Sequence, residues 1–254
     1  MILIKEGLVL NSLFKIAIIC PCKIEYDKCK LILNLLNETS FNGRTVCFKK
    51  YNSYEIAAIF AGPGKIQCAS ATQLIIDRFN PDLVIDVGGS GSLSNDFKYN
   101  DIIIAKEIYE FDICELEDFN KSKDELTSKT IFNDISDESI KCLKMTMKEI
   151  ESLVNVKIKL GNIASGEKTI KDSEIREKMC SLLKAHACNW ETASIIKTAN
   201  LNKVSGISIR VITDNADEKM EKDFYNNWGT ALEKLFLILN TIFEKSNVSR
   251  LLNL

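Results

Sequence analysis

The sequence predicts a single α/β domain in which a mixed, largely parallel central sheet is flanked by helices. Short β-branched strands alternate with amphipathic helices along most of the chain, which is the pattern of α/β domains. The apolar run Leu83 to Val87 is typical of a parallel strand buried on both faces. A chain of 254 residues, 46% of them hydrophobic, can bury one large core. We therefore assign residues 1–254 to one domain, with residues 1–14 as an N-terminal extension.

The first half of the chain repeats strand, loop and helix, and two loops rich in glycine separate its elements. One is Gly62-Pro63-Gly64-Lys65, and the other is Gly88 to Ser92, which is expected to end the strand before it. The predicted elements are a strand over 15–20, a helix over 25–37, a hairpin of strands 45–48 and 55–60, a helix over 66–79, and strands over 83–87 and 101–105.

The second half begins with a charged, irregular segment over residues 114–137. We expect this segment to cross the surface as a lid or as part of a contact with a partner. The elements predicted after it are a helix over 139–154, a strand over 157–165, helices over 173–183 and 192–201, a strand over 206–212 and a long helix over 223–244.

The overall charge and hydropathy exclude two classes of partner. Thirty-five acidic and 33 basic residues give a net charge of −2, which offers no cationic surface for nucleic acid. No stretch reaches the eighteen or so consecutive apolar residues of a membrane span. The first residues lack the basic segment of a signal peptide, so we expect a cytoplasmic protein.

The cysteines predict neither a disulfide framework nor a metal site. There are nine of them, and a single histidine, His186, so a zinc site would need thiolates that lie far apart in the sequence. Free, mostly buried thiols in a reducing cytosol are the expectation. We expect no metal and no organic cofactor.

Three acidic residues are candidates for chemistry because of where they stand. Glu25, Glu191 and Asp214 each follow a predicted strand or precede a helix, where open α/β sheets place their ligands. Any one of them alone could equally be a helix cap or a solvated surface acid. The sequence pattern in which they occur makes them stronger candidates for catalysis than the other acidic residues.

Seven segments in order carry a resemblance to a known family. They are Lys15 to Ile19 followed by Glu25, Ala61 to Lys65, Asp82 to Gly91, Asn100 to Ile104, Ser165-Gly166-Glu167, Trp190 to Ala193, and Ile209 to Asp217. This order resembles the nucleoside phosphorylase and nucleosidase superfamily. The spacing is similar to that of the 5'-methylthioadenosine/S-adenosylhomocysteine nucleosidases, and the resemblance extends from Lys15 to the last helix. It implies a nucleoside phosphorylase-like fold and a purine nucleoside as the small-molecule partner.

The resemblance also assigns the three acids their roles. Asp214 would be the general acid toward the purine N7, Glu25 would hold the attacking water, and Glu191 would accept from the ribose hydroxyls. A purine leaves poorly as an anion, so a proton must reach N7 as the N-glycosidic bond breaks. Asp214 must then be protonated near neutral pH, which requires burial or a nearby anion.

Five further residues are candidates for substrate binding. Thr213 would orient Asp214, and Gly88 would let backbone approach the ligand or permit a turn with positive φ. Phe224 matches a position that lines the 5'-substituent pocket in the family. Trp190 either packs on the ribose or fills the core, and Ile170 lies where the family tends to have an aromatic residue on the purine. Arg210, inside its strand, is expected to be an ion-paired core residue.

The expected reaction is hydrolysis, since a phosphorylase must bind a phosphate dianion beside the sugar. The first loop holds Lys23 with Glu25, and the second glycine-rich loop has no basic residue. Departures from the family pattern at Asn189, Trp190 and Thr169 leave open a phosphorylase or a nucleosidase of different specificity. A nucleoside-binding protein without turnover is the other alternative. The resemblance further implies a homodimer whose partner helps to close the 5' pocket.

Overall fold

A computed structural model describes residues 13–113, 128–131, 148, 151 and 156–244. Its strands are β1 (Phe14–Cys20), β2 (Asn37–Phe41), β3 (Arg44–Lys50), β4 (Tyr54–Phe60), β5 (Leu83–Ser92), β6 (Ile102–Glu110), β7 (Ser128–Ile131), β8 (Ile158–Ser165), β9 (Ala187–Asn189) and β10 (Ser205–Asp214). Its helices are α1 (Lys23–Ile32), α2 (Lys65–Phe79), α3 (Ser173–Leu183), α4 (Thr192–Leu201) and α5 (Met220–Glu244).

The strands form one mixed sheet, which confirms the predicted fold class. Its order is β10-β6-β8-β9-β5-β1-β4-β3-β2, with β7 paired to β6. Strand β5 also pairs with β10, so β5, β10, β6, β8 and β9 close on themselves in the manner of a small barrel. The central pairs β1–β4, β1–β5 and β5–β10 are parallel. Their carboxyl ends therefore lie at one edge of the sheet, where the candidate site is expected.

Strand β1 shows how the sequence divides the core between the two faces of the sheet. Side chains alternate along a strand, and Ile16 and Ile18 pack with residues of α5, whereas Ala17 and Ile19 pack with residues of α2 and α4. Helices α1 and α5 contact each other on the first face, and α2 and α4 on the second. Both faces are apolar because both are covered.

Helix α1 is shorter than the prediction of 25–37. It begins at Lys23 and ends at Ile32, because Leu33 caps it and Asn34 adopts a left-handed conformation with φ of 54°. The chain then enters β2, an exposed edge strand that the sequence analysis did not identify. Asparagine tolerates the left-handed region better than other residues with a Cβ, which explains the break.

Strand β5 continues through the glycines that were expected to end it. The prediction was wrong because β10 pairs with β5 as far as Gly91. A Cβ on Gly89 would lie 3.0 Å from Thr213 Cγ2, and one on Gly91 would lie 2.7 Å from Asp214 Oδ1. The glycines therefore serve the close approach of two strands at the end of β10 and do not interrupt the sheet.

The remaining elements agree with the sequence analysis to different extents. Helices α3 and α4 have the predicted bounds, and β3, β4, β8, β10, α2 and α5 differ from theirs by a few residues. Strand β6 runs on to Glu110, five residues past its predicted end, and β9 was not predicted. In the segment 114–137, β7 pairs with β6, and the rest lies outside the described residues. The helix predicted over 139–154 and residues 1–12 of the predicted extension also lie largely or wholly outside them. None of the described helices is long and apolar enough to cross a membrane.

Candidate active site

The three candidate acids meet at one cavity beyond the carboxyl ends of β1, β5 and β10. The cavity has a volume of about 480 Å³. Glu25 reaches it from α1, Asp214 ends β10, and Glu191 lies between β9 and α4. Its walls come from seven segments of the chain, and its lining residues are Cys22, Glu25, Pro63, Gly89, Ser90, Gly91, Lys168, Thr169, Ile170, Lys171, Cys188, Asn189, Trp190, Glu191, Arg210, Thr213, Asp214, Met220, Glu221, Phe224, Tyr225 and Trp228.

Glu25 is held by two backbone amides, one just after β1 and one within β5. Its Oε2 accepts from the amide of Cys22 at 2.8 Å, and its Oε1 accepts from the amide of Gly89 at 3.0 Å. The first contact is half of a capping box that starts α1. Burial raises the pKa of Glu25 to about 7; Arg210 acts in the opposite direction, and Glu191 adds to the rise. Glu25 can therefore exchange a proton near neutral pH.

Glu191 occupies the N-cap position just before α4, but its side chain does not cap the helix. The cap is supplied by Asn189, whose Oδ1 accepts from the amides of Glu191 and Thr192 at 3.1 and 3.0 Å. The Glu191 carboxylate is thus free to face the cavity, where its Oε1 accepts from the amide of Gly64 at 3.2 Å. Burial raises the pKa of Glu191, and Arg210 opposes that rise. A capping role for the Glu191 side chain is excluded by this geometry.

Asp214 ends β10 as a buried carboxyl with two donors. Its Oδ2 accepts from the Thr213 hydroxyl at 2.8 Å, and its Oδ1 accepts from the amide of Ala216 at 2.9 Å. Burial raises the pKa of Asp214, although these two hydrogen bonds offset part of the rise. The Ser90 carbonyl lies 3.2 Å from the same Thr213 hydroxyl and is the alternative acceptor for its one proton. The predicted role of Thr213 in orienting Asp214 agrees with these contacts.

Arg210 lies beneath the two glutamates and is paired as predicted. Its Nε and Nη2 donate to the two carboxylate oxygens of Asp86 at 3.0 and 2.5 Å, and both residues are fully buried. Its Nη1 lies 3.8 Å from Glu191 Oε2. Burial acts against its charge, but Asp86, Glu191 and Glu25 together raise the pKa of Arg210. Asp86 thus neutralises the Arg210 guanidinium, which also attracts the carboxyl groups of Glu25 and Glu191 electrostatically.

Gly88 lies behind the site and does not line the cavity. A Cβ at this position would lie 2.4 Å from Glu25 Oε1 and 2.6 Å from Arg210 Nη1, and the residue has φ of 147°. The sequence analysis expected Gly88 to let backbone approach the ligand or to permit a turn. The structure shows that it makes room for a catalytic candidate and for the guanidinium.

The remaining predicted binding residues all line the cavity. Trp190 is 40% exposed, so the alternative that it fills the core is wrong. Ile170 is buried in a cluster that contains Cys188 and Ala216, which places it at the Asp214 end of the cavity. Phe224, on the first turns of α5, packs against Trp228 with ring centroids 4.4 Å apart and ring planes tilted by 34°.

Sequence analysis missed the groups that hold the acids in place. The amides of Cys22, Gly64 and Gly89 carry no sequence signal, because every residue but proline has one. Asp86 did carry a signal: a charge inside the apolar run Leu83 to Val87 needs a buried partner. Two cysteines, Cys22 and Cys188, also line the cavity, and burial raises the pKa of both thiols well above the ordinary value.

The arrangement suits acid–base chemistry on a small molecule. Burial raises the pKa of Asp214 at one end of the cavity, and Glu25 and Glu191 lie near Arg210 at the other. Pairs of carboxyl groups whose environments differ in this way are typical of glycosidic bond cleavage. Among the described residues, no group of three or more histidines, cysteines and acids is placed to hold a metal ion.

Comparison with known proteins shows the family to which this chain is similar. Residues 15–244 match the family model described as the phosphorylase superfamily. An aminodeoxyfutalosine nucleosidase from Campylobacter jejuni is 24% identical over 212 residues, which cover 84% of this chain and 90% of that protein. A 5'-methylthioadenosine/S-adenosylhomocysteine nucleosidase from Buchnera aphidicola is 25% identical over 231 residues, covering 91% and 97%. The crystal structure of the Helicobacter pylori 5'-methylthioadenosine/S-adenosylhomocysteine nucleosidase has a TM-score of 0.79, 24% identity, and coverage of 92% of this chain and 99% of that one.

Proposed function

The chain belongs to the phosphorylase superfamily, and we propose that it hydrolyses the N-ribosyl bond of a purine nucleoside. The substrate is 5'-methylthioadenosine, S-adenosylhomocysteine or a closely related adenine nucleoside, and the products are adenine and the 5-substituted ribose. The observation that carries the proposal is the convergence of Asp214, Glu25 and Glu191, all buried, on one cavity.

The reaction assigns each acid one task. As the bond from C1' to N9 breaks, its electron pair passes to the purine, and Asp214 delivers its proton to N7. A water oxygen forms the new bond to C1', and Glu25 takes the proton that this water loses. Glu191 accepts from the ribose hydroxyls, which are held by a charged acceptor more strongly than by a neutral one.

The charges around the sugar end favour water over phosphate as the nucleophile. Glu25 and Glu191 lie there, and the guanidinium of Arg210 is already bound by both oxygens of Asp86. A phosphate dianion would meet two carboxylates and no uncommitted cation among the described residues at that end. The two lysines of the lining, Lys168 and Lys171, flank Ile170 at the Asp214 end.

The aromatic residues of α5 support an apolar group at the 5' position. Phe224, Tyr225 and Trp228 line one wall, and Phe224 contacts both of the other rings. Such a wall suits a thioether or an aryl substituent. The nucleosidases from Campylobacter jejuni and Buchnera aphidicola are named for different substrates, aminodeoxyfutalosine in the first and 5'-methylthioadenosine and S-adenosylhomocysteine in the second. A 5'-methylthio substrate would place the enzyme in methionine salvage.

Two features outside the cavity support a cytoplasmic homodimer. Ile66 and Ile113 are 81% and 51% exposed, and they follow Lys65 and Asp112, which form an ion pair of 2.7 Å. Large apolar side chains that are this exposed favour burial against a second copy. Free cysteines among the described residues suit a reducing compartment. Light scattering on the purified chain tests the dimer, and Ile66→Lys should shift it toward the monomer.

The experiment that tests the function is release of adenine in phosphate-free buffer. Purified protein is incubated with 5'-methylthioadenosine, S-adenosylhomocysteine and adenosine, with Asp214→Asn as the control for contaminating enzymes. Release by the wild type without phosphate supports the nucleosidase. Release only after phosphate is added would identify a phosphorylase, and tight binding without any product would identify a nucleoside-binding protein.

A further inference from the structure

The start of α2 binds two carboxylates from distant parts of the chain. Gly64 precedes the helix and Lys65 is its first residue. The Gly64 amide donates to Glu191 Oε1 at 3.2 Å, and the Lys65 amide donates to Glu167 Oε1 at 2.6 Å. The first amides of a helix have no partner within the helix, so they take acceptors from elsewhere. Neighbouring amides therefore join the proposed ribose acceptor to Glu167, a residue outside the cavity lining.

Glu167 is itself held firmly from the other side. Its amide donates to Asp112 Oδ2 at 2.9 Å, and Asp112 Oδ1 accepts from Lys65 Nζ at 2.7 Å. Lys65 thus contacts Glu167 through its amide and contacts Asp112, which holds the Glu167 amide, through its side chain. The three residues form a closed ring of hydrogen bonds, which we call the Glu167 clasp (Lys65, Asp112, Glu167). A ring of this kind restricts the backbone at Lys65.

The Glu167 clasp restricts the position of the Gly64 amide, which binds Glu191. Gly64 has φ of 90°, and a Cβ at Gly64 would lie 2.7 Å from Glu167 Oε1, so the carboxylate of Glu167 lies directly against the Gly64 backbone. A glycine is otherwise the most mobile residue of a loop. Glu191 has a competing partner in Arg210, whose Nη1 lies 3.8 Å from Oε2. If the Gly64 amide turned away, Glu191 would shift toward Arg210 and away from the ribose.

We propose that Glu167 is a positioning residue for the reaction: through the Lys65 and Gly64 amides it sets the Glu191 carboxylate where the ribose hydroxyls bind. The inference rests on the proposed function, because it takes Glu191 as the ribose acceptor. Glu167 touches neither the substrate nor the reacting atoms. Replacing Glu167 should therefore weaken recognition of the sugar and leave proton transfer by Asp214 unchanged.

The test is the preference for a ribonucleoside over its 2'-deoxy analogue, measured as the ratio of kcat/KM values. Glu167→Ala removes the acceptor for the Lys65 amide and should lower this ratio about three- to tenfold, a part of what a full charged hydrogen bond contributes. Glu167→Gln keeps an oxygen that can accept from the same amide and should stay within about twofold of the wild type. Glu167→Asp keeps the charge but is one methylene shorter, so it should behave like the alanine variant.

A control at the opposite edge of the sheet separates positioning from stability. The Asp82 carboxylate accepts from the Lys15 amide at 2.7 Å, far from the cavity. Asp82→Ala removes an acceptor for a backbone amide, as Glu167→Ala does, and should leave the ratio unchanged. A ratio equal to that of the wild type in folded Glu167→Ala, or in Glu167→Asp should the alanine variant not fold, would overturn the inference.

The two proposals can fail separately. If the wild type releases no base from either nucleoside, the proposed function fails. The same ratio is then taken from the dissociation constants of the two nucleosides, where Glu167→Ala should again lower it while Glu167→Gln does not. Unchanged dissociation-constant ratios in every Glu167 variant would overturn the positioning role.

Discussion

Replacing Glu25 by glutamine should make the protein's stability less dependent on pH. In the folded state the pKa of Glu25 is raised from the ordinary value of 4.5 to about 7, chiefly by burial. In the unfolded chain the carboxyl is exposed and ionises near its ordinary value. Between these two pH values the folded state binds more protons than the unfolded state, so the free energy of unfolding falls as pH rises.

The size of this effect follows from the same two values. Each pH unit between them corresponds to about 1.4 kcal/mol, so the ionised Glu25 lowers the stability by about 3 kcal/mol above pH 7 relative to the protonated form below pH 4.5. Glutamine cannot ionise, so this loss disappears in the variant. The amide nitrogen of glutamine cannot accept from the amide of Cys22 or Gly89, as a carboxylate oxygen does, which lowers stability by a roughly constant 1 to 2 kcal/mol.

The measurement is therefore how the free energy of unfolding changes with pH, and not the constant difference in stability between the two proteins. Urea unfolding of wild type and Glu25→Gln between pH 4.5 and 8 gives the difference in the free energy of unfolding at each pH. This difference should move by about 3 kcal/mol in favour of the variant as pH rises. Glu174→Gln controls for the change in net charge, since the Glu174 side chain is 78% exposed. Parallel curves for wild type and Glu25→Gln would show that folding does not shift the pKa of Glu25, and the argument from burial would be refuted.

Four further predictions concern activity and packing. Asp214→Asn should lower kcat by about a hundredfold or more while nucleoside binding is kept, because asparagine can donate a hydrogen bond to N7 but cannot transfer a proton; near-normal kcat would remove Asp214 from the mechanism. Glu191→Gln should reduce the preference for ribose over 2'-deoxyribose by about ten- to a hundredfold, and an unchanged preference would mean that Glu191 does not bind the sugar. The kcat/KM of the wild type should rise with pH up to about 7 as Glu25 ionises, and a flat profile between pH 5 and 8 would speak against Glu25 as the base. Gly88→Ala should lower the free energy of unfolding by about 1 to 3 kcal/mol or more and abolish turnover, because the new Cβ would meet Glu25 and Arg210. Gly229→Ala on α5 should be neutral or stabilising, because a Cβ there meets nothing within 4 Å. Equal behaviour of the two variants would contradict the packing argument.

Local sequence determined most of the elements because their signals are local. Helices α3 and α4 have their predicted bounds because apolar spacing within each segment reflects the face that it buries. The fold class followed from the order of these elements, since alternating strands and helices leave few ways to cover both faces of a sheet. The three acids stood out because they follow strand ends in a family-like order, and the structure brings all three to one cavity.

Only the tertiary structure decided the continuation of β5 and the surroundings of the acids. The glycines of β5 have the sequence signature of a break, and what makes them part of a strand is the approach of Thr213 and Asp214 from β10, more than 120 residues away. Likewise, Glu25 lies over Arg210, and Glu191 accepts from an amide 127 residues away in sequence. Burial and neighbouring charges set a pKa, and both depend on which distant segments pack together. A sequence pattern could therefore identify the acidic residues of this site, but the pKa of each one depends on how the folded chain packs around it.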